Sequence, residues 1–154
     1  MIHFKKIIKM KNLKILSGLL LSLLFFSHHA QAQSSSKTEK ASKNKIEVLN
    51  FHSTHRCMTC NAIEANTKYT LETYFEENLK NGSITQQTIN VDEEKNEQIA
   101  EKFEASGTSL FLNIIVNGKE KQINLTNFAF TKGRDKEAFS EDLKGEIAKW
   151  LKKL

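Results

Sequence analysis

The sequence contains no proline and only two cysteines among its 154 residues. Two cysteines form at most one disulfide within a chain, so a disulfide-rich scaffold is excluded. Long apolar runs are also missing. The longest, Ile15 to Phe26, has twelve residues and is interrupted by serine and glycine, whereas a membrane-spanning helix needs roughly 20 apolar residues.

The N-terminal region has the pattern of a secretory signal peptide. Its first fourteen residues carry five lysines and no acid, the apolar run follows, and Ala30-Gln31-Ala32 then gives an A-x-A cleavage pattern. We therefore expect residues 1–32 to be a signal peptide and the protein to be periplasmic or secreted, with no stable membrane span after cleavage. An uncleaved membrane anchor is the alternative, although the apolar run is short for one.

The net charge of the chain comes from this same region. The formal charge is +5, but without residues 1–32 the lysines and arginines fall from 23 to 18 and equal the 18 acidic residues. The mature chain therefore has no basic surplus that would favour nucleic-acid binding. We expect no nucleic acid among its partners.

The mature chain divides into a polar segment and one globular part. Residues 33–45 contain no aromatic or large aliphatic side chain, so this segment buries too little apolar surface to offset its ordering entropy and is predicted to be a flexible tether. Residues 46–154 are long enough for a single domain with one modest core.

Hydrophobic periodicity within residues 46–154 predicts four strands and three helices. The predicted strands cover residues 46–51, 84–91, 109–116 and 121–125, and the helices cover 57–80, a segment after Asp92 and a segment after Asp135. The two aspartates are good helix N-caps, and Asn117-Gly118 is a strong hairpin turn. This order predicts a mixed sheet with helices on both faces.

The two cysteines, Cys57 and Cys60, stand at the start of the first predicted helix. Disulfide exchange needs one attacking thiolate and a second thiol nearby, and this spacing provides both. A helix N-terminus favours the thiolate of Cys57, and His55, Arg56 and, less directly, His52 would add positive potential. A bridge across so short a loop would restrict the unfolded chain little, so the spacing suits chemistry better than stapling.

These features together resemble the thioredoxin family. The resemblance covers residues 46–154 and depends on the element order, the C-x-x-C after the first strand and a strand-Asn-Gly-strand hairpin about 60 residues later. It implies an α/β, thioredoxin-like three-layer fold with a mixed sheet of about four strands. Together with the signal-peptide pattern, it also implies an exported bacterial thiol-disulfide oxidoreductase or electron-transfer thiol protein without a cofactor. Cys57 would be the exposed nucleophile, Cys60 the buried resolving thiol, and the partners other periplasmic or membrane thiol proteins.

The chain departs from the thioredoxin pattern at several positions. Thr108 stands where the family carries a cis-proline, and a trans bond or a strained loop is expected there because a non-proline cis bond costs about 3 to 4 kcal/mol. Asn50 stands near the place of a buried acid and cannot accept a proton. The dipeptide Met58-Thr59 between the cysteines matches none of the common family variants, so it assigns no direction of electron flow.

Two other functions stay open at this point. His52, His55, Cys57 and Cys60 are four nitrogen or sulfur donors within nine residues, and such donors suit copper(I) or zinc. This pattern predicts a metal carrier as the alternative, although one helix start is a narrow place for all four to converge. The third possibility is a thioredoxin-like interaction domain whose disulfide is inert.

Overall fold

The computed structural model describes residues 44–154, so the predicted signal peptide and most of the predicted tether lie outside the described residues. The elements, in chain order, are β1 (Lys45–His52), α1 (Met58–Tyr74), α2 (Glu76–Asn81), β2 (Ile84–Asn90), a 3-10 turn (Glu94–Asn96), α3 (Glu97–Lys102), β3 (Ser109–Val116), β4 (Lys119–Asn124), α4 (Thr126–Lys132) and α5 (Lys136–Leu151). No helix within this range has the length and apolarity needed to cross a membrane.

The four strands form one mixed sheet in the order β2-β1-β3-β4. β1 and β2 are parallel, because α1 and α2 carry the chain back across the sheet between them. β3 runs antiparallel to both of its neighbours. This topology, with the C-x-x-C directly after β1, is the arrangement that the thioredoxin resemblance implied, and the predicted fold class is confirmed.

Each face of the sheet carries its own apolar cluster, because side chains alternate along the strands. Ile46 and Val48 of β1 belong to the cluster under α1 and α5, whereas Leu49 and Phe51 belong to the cluster under α3. The larger cluster includes the buried residues Ile63, Leu71, Leu110, Leu112, Phe139, Leu143 and Ile147. The smaller cluster is centred on three rings with centroids 5.3 to 5.8 Å apart, those of Phe51, Phe103 and Phe111.

The prediction of one helix over residues 57–80 is wrong, because the chain breaks at Phe75 into α1 and α2. Phe75 leaves the helical conformation and its ring is buried in the larger cluster. Tyr74, which periodicity placed on the buried face, is 39% exposed instead. Gly82 ends α2 in the left-handed conformation, as the Asn-Gly pair predicted.

Two further differences affect the surroundings of the cysteines. The helix predicted to start at Asp92 begins with the 3-10 turn, and the carboxylate of Asp92 caps neither segment. In addition, α4 was not predicted: Leu125 precedes it without a side-chain cap, and Ala129 anchors it in the larger cluster.

The predicted strand 109–116, the hairpin and the last helix are confirmed. β3 is buried along almost its whole length, and Asn117 and Gly118 both adopt positive φ, as a two-residue hairpin requires. Asp135 caps α5 by accepting a hydrogen bond from the Ala138 N–H at 3.0 Å.

The polar contacts of Asn44 join the two ends of the described chain. Its side-chain amide donates to the carbonyl of Leu154 at 2.7 Å, and its side-chain oxygen accepts from the N–H of Asn117 at 2.8 Å. β1 then runs from this end of the sheet toward the cysteines. The first strand starts at Lys45, so residues 44 and 45 belong to the folded part rather than to the tether.

Candidate redox site

Cys57 and Cys60 form a disulfide at the N-terminus of α1, with their Cα atoms 5.0 Å apart. Cys57 is the N-cap of the helix: it has extended backbone angles, and its sulfur accepts a hydrogen bond from the Cys60 N–H at 3.1 Å. Cys57 is exposed to solvent, whereas Cys60 is 8% exposed. The two sulfurs therefore have the unequal accessibility that an attacking and a resolving thiol need.

The surroundings of the Cys57 sulfur favour a thiolate once the disulfide is reduced. The Cys60 N–H is a donor aimed at this sulfur, and the positive end of the 17-residue helix adds to the field. The first turn of α1 holds no acidic residue that would oppose it. Met58, which follows Cys57, is 78% exposed and gives the site an apolar surface.

Arg56, predicted to add positive potential at Cys57, is engaged elsewhere. Its guanidinium forms an ion pair with the carboxylate of Glu64, two turns along α1. Both side chains are less than one third exposed, so the pair holds the residue before Cys57 against the helix. The positive charge of Arg56 is therefore largely balanced by Glu64.

The two histidines lie near an acidic residue rather than together on the sulfurs. A ring nitrogen of His52 lies 2.9 Å from the carbonyl oxygen of Ser53, and His55 is exposed. Hydrogen bonds from Thr54 hold the pKa of Asp92 below its ordinary range, and the positive charges of His55 and His52 lower it further. The two imidazoles therefore interact with the carboxylate of Asp92.

Asp92 ties the loop before Cys57 to the end of β2. Its carboxylate accepts a hydrogen bond from the Thr54 N–H at 2.7 Å, and the side-chain amide of Asn90 donates to the Thr54 hydroxyl at 3.1 Å. Val91 N–H adds a bond to the His52 carbonyl at 2.9 Å. The segment that presents the cysteine is therefore fixed from the neighbouring strand.

The metal alternative finds no support in this arrangement. Within residues 44–154, no group of three or more histidine, cysteine, aspartate or glutamate side chains is close enough together to hold a metal ion. Cys57, Cys60, His55 and His52 are neighbours in sequence, but their donor atoms do not converge on one point.

Thr108 lies directly before β3, in a loop beside the segment that precedes the cysteines. A Cβ atom added at Gly107 would lie 3.6 Å from the Ser53 hydroxyl oxygen, so the two loops are in contact distance. No cis peptide bond occurs between residues 44 and 154. Thr108 is half-buried, and its role at the site stays a prediction.

Asn50 is completely buried on β1, on the sheet face that α1 covers. Neither its side-chain oxygen nor its side-chain nitrogen has a hydrogen-bond partner within the described part of the protein. Burying such a group without a partner is costly. The position therefore holds an uncharged polar group under the first helix, as the sequence departure from the thioredoxin pattern indicated.

Sequence reasoning missed a residue that the fold brings to the motif. Arg134, between α4 and α5, donates from its Nε to the hydroxyl of Thr59 at 3.0 Å across a separation of 75 residues. The carbonyl of the preceding Gly133 accepts from the buried side-chain amide of Asn66, also at 3.0 Å. Only the charge of Arg134 could have drawn attention to it, because nothing local in the sequence connects it to the cysteines.

Solved structures with a distant likeness to this chain include a thioredoxin and a malarial protein. No protein-family model matches the chain, and no curated protein matches it. An X-ray structure of Fasciola hepatica thioredoxin is similar at 18% identity and a TM-score of 0.43, covering 70% of this chain and 83% of that one. A malarial protein is similar at 20% identity and a TM-score of 0.37, covering 58% and 96% respectively. At these scores neither likeness bears on the chemistry of the site.

The folded chain thus brings together part of the predicted set and adds new members. Cys57 and Cys60 are bonded, and the loop that holds Thr108 lies beside the loop that leads to Cys57. His52 and His55 lie near Asp92, and Arg56 pairs with Glu64. The residues added by the fold are Asp92, which holds the loop, and Arg134, which contacts Thr59.

Proposed function

We propose that this protein is a thiol-disulfide exchange protein that cycles Cys57 and Cys60 between dithiol and disulfide. The observation that carries the proposal is the exposed Cys57 at the start of α1, whose sulfur accepts a hydrogen bond from the Cys60 N–H while Cys60 itself is buried. A purely structural disulfide does not require one exposed and one buried cysteine, whereas two-step disulfide exchange does.

The reaction runs in two balanced steps. The Cys57 thiolate attacks one sulfur of a substrate disulfide, and the other substrate sulfur leaves as a thiolate that takes up a proton. The Cys60 thiolate then attacks the Cys57 sulfur of this mixed disulfide and releases the second substrate thiol. Two electrons pass from the protein to the substrate, and the same steps in reverse oxidise a substrate dithiol.

The N-terminal sequence supports a location for this protein outside the cytoplasm. A signal-peptide pattern in residues 1–32 supports export, and an oxidising compartment keeps a disulfide such as this one formed. We propose that the protein works in a bacterial periplasm or outside the cell, with other exported or membrane thiol proteins as its partners.

The test compares two single-cysteine variants, Cys60→Ser and Cys57→Ser, in their reaction with the aromatic disulfide dithiobis(nitrobenzoate) at pH 6. Cys60→Ser retains the exposed, helix-capping thiol, so it is expected to release thionitrobenzoate about ten times faster or more. In urea, where the helix and its burial are gone, the two variants should react at similar rates, which is the control.

Two results would contradict the proposal. One is a wild-type disulfide that excess dithiothreitol does not reduce together with unreactive single cysteines, which would favour the inert interaction domain. The other is stoichiometric copper or zinc bound by the reduced protein and lost in His55→Ala, measured by metal analysis of the same sample. That outcome would favour the metal carrier.

A further inference from the structure

Arg134 is a cation beside the C-x-x-C motif, and no acidic residue among residues 44–154 pairs with it. Its Nε donates to the neutral hydroxyl of Thr59 at 3.0 Å, and within residues 44–154 its guanidinium forms no ion pair. The side chain is exposed. Because a guanidinium has five N–H donors in a planar fork, the bond to Thr59 leaves its terminal nitrogens free toward solvent.

Buried contacts of the preceding residue, Gly133, hold the backbone at Arg134 in place. Gly133 is buried, and a Cβ atom there would lie 2.6 Å from the carbonyl oxygen of Ala129 and 2.9 Å from a side-chain carbon of Ile63. The buried amide of Asn66 also donates to the Gly133 carbonyl at 3.0 Å. Gly133, the residue before Arg134, therefore packs closely against α1.

Positive charge lies beside the cysteine motif at the start of α1. We define the redox rim as Cys57, Met58, Thr59 and Arg134. Arg134 and the N-terminus of α1, whose first turn has no acidic residue, make its α5 side positive. Asp92 holds the loop before Cys57 by its bond to the Thr54 N–H, and His52 and His55 lie near its carboxylate.

The acid next to Arg134 in sequence, Asp135, forms no ion pair with it within the described part of the chain. The carboxylate of Asp135 accepts from the Ala138 N–H at 3.0 Å as the cap of α5. A carboxylate supplied by a substrate is therefore the group that the free donors of Arg134 fit, in a paired geometry that arginine forms readily.

We infer that Arg134 determines substrate specificity at the redox rim, and that the preferred substrates are polypeptide disulfides with an acidic side chain beside the reacting cysteine. The inference rests on the proposed exchange function. In the mixed disulfide, the substrate's carboxylate would lie against the guanidinium while its chain contacts the exposed Met58. Exchange then proceeds by the two steps given above, with the peptide disulfide as the electron acceptor.

The test uses two synthetic peptides with one internal disulfide each, identical except for Glu or Gln next to a cysteine. Pre-reduced full-length protein is mixed with each peptide without oxygen, and single-turnover rate constants are read by acid quenching, alkylation and mass. Wild type is expected to favour the Glu peptide about two- to fivefold at low salt, as for an exposed ion pair, and less in 0.5 M salt.

Arg134→Gln should bring the ratio of the two rate constants close to one, and Arg134→Lys should retain part of the preference because the charge remains. The matched control is Lys132→Gln, which removes a positive charge two residues away and should keep the preference. If Arg134 only docked its loop on Thr59, Arg134→Gln would change both rate constants by the same factor, and the inference would be overturned.

Failure of the inference and failure of the proposed function have different signatures. Equal wild-type rates with the two peptides would overturn the specificity role and leave exchange intact. No exchange with either peptide would overturn the proposed function and the inference together. A preference for the Gln peptide would also contradict the role given to Arg134.

Discussion

Asp92 illustrates how a single exposed side chain positions the reactive part of this protein. Its carboxylate joins the end of β2 to the Thr54 N–H, three residues before Cys57. By sequence alone it looked like a helix cap, since aspartate followed by two glutamates is a common helix start. A donor 38 residues earlier in the chain takes the carboxylate instead, and no local pattern reveals that competition.

The lowered pKa of Asp92 predicts a stability effect in acid. Hydrogen bonds from Thr54 are the main cause of the shift, with the charges of His55 and His52 adding to it. For a group whose folded pKa is depressed, the stabilisation is fully present above its ordinary pKa and is lost as pH falls through the lower, folded pKa. The loop attachment should therefore weaken only below about pH 4.

Urea unfolding of wild type and Asp92→Asn between pH 2.5 and 7 checks this expectation. The amide of the variant still accepts from Thr54 but carries no charge, so the variant should be less stable at neutral pH. The two curves should meet in strong acid. Asp142→Asn is the control, because this exposed aspartate of α5 has no side-chain partner in the described part of the chain. Parallel curves for wild type and Asp92→Asn down to pH 2.5 would refute the prediction.

At the scale of secondary-structure elements, the contact between α1 and the junction of α4 with α5 depends on the absence of a side chain. Gly133 leaves room for the Ala129 carbonyl and for Ile63. The sequence did not indicate α4, since it lacks a capping residue and its last turn is fixed by packing. Tertiary contacts, not helix propensity, define this element.

Gly133→Ala is therefore expected to lower the free energy of unfolding by about 1 to 3 kcal/mol, because a methyl group must be forced into a filled space. Gly145→Ala is the matched control: nothing lies within 4 Å of a Cβ atom at that exposed position of α5. It should raise stability by up to about 1 kcal/mol through helix propensity. Equal effects of the two substitutions in chemical denaturation would contradict the packing described for Gly133.

Strands were easier to predict than helix ends for a physical reason. β3 is an almost continuous apolar run between turn residues, and the Asn117-Gly118 pair favours positive φ at both positions, so local sequence defines them. The break at Phe75 has no comparable local signal. It follows from the burial of that ring in the core on the α1 side of the sheet, which only the folded chain establishes.

At the scale of the whole molecule, the order of the elements was enough to predict the topology. A strand, a helix and a second strand favour a parallel pair, and a tight hairpin requires an antiparallel one. Contacts between segments far apart in sequence, such as that of Thr59 with Arg134, could not be predicted from the sequence. The cysteine pair was predictable and its neighbours were not.

The whole domain should depend little on its disulfide. A bridge between residues three apart closes a very short loop, so its reduction is expected to lower the free energy of unfolding by about 2 kcal/mol or less. Two apolar clusters remain to hold the fold. Urea unfolding with and without dithiothreitol measures the difference, and the Cys57→Ser/Cys60→Ser double variant should match the reduced protein. Unfolding of the domain on reduction alone would show that the bridge is a staple.

The side-chain amide of Asn44 touches the carbonyl of Leu154, and this contact lies at the end of the sheet from which β1 departs. An eight-residue strand is about 26 Å long, so Asn44 and Leu154 lie at the end of the described domain that is far from the reactive sulfurs. In a shortened protein of residues 44–154, a short peptide could join Leu154 to Asn44 and close the domain into a ring. Such a circular protein would have no free end to fray or to be trimmed by exopeptidases, while Cys57 would still face an approaching partner.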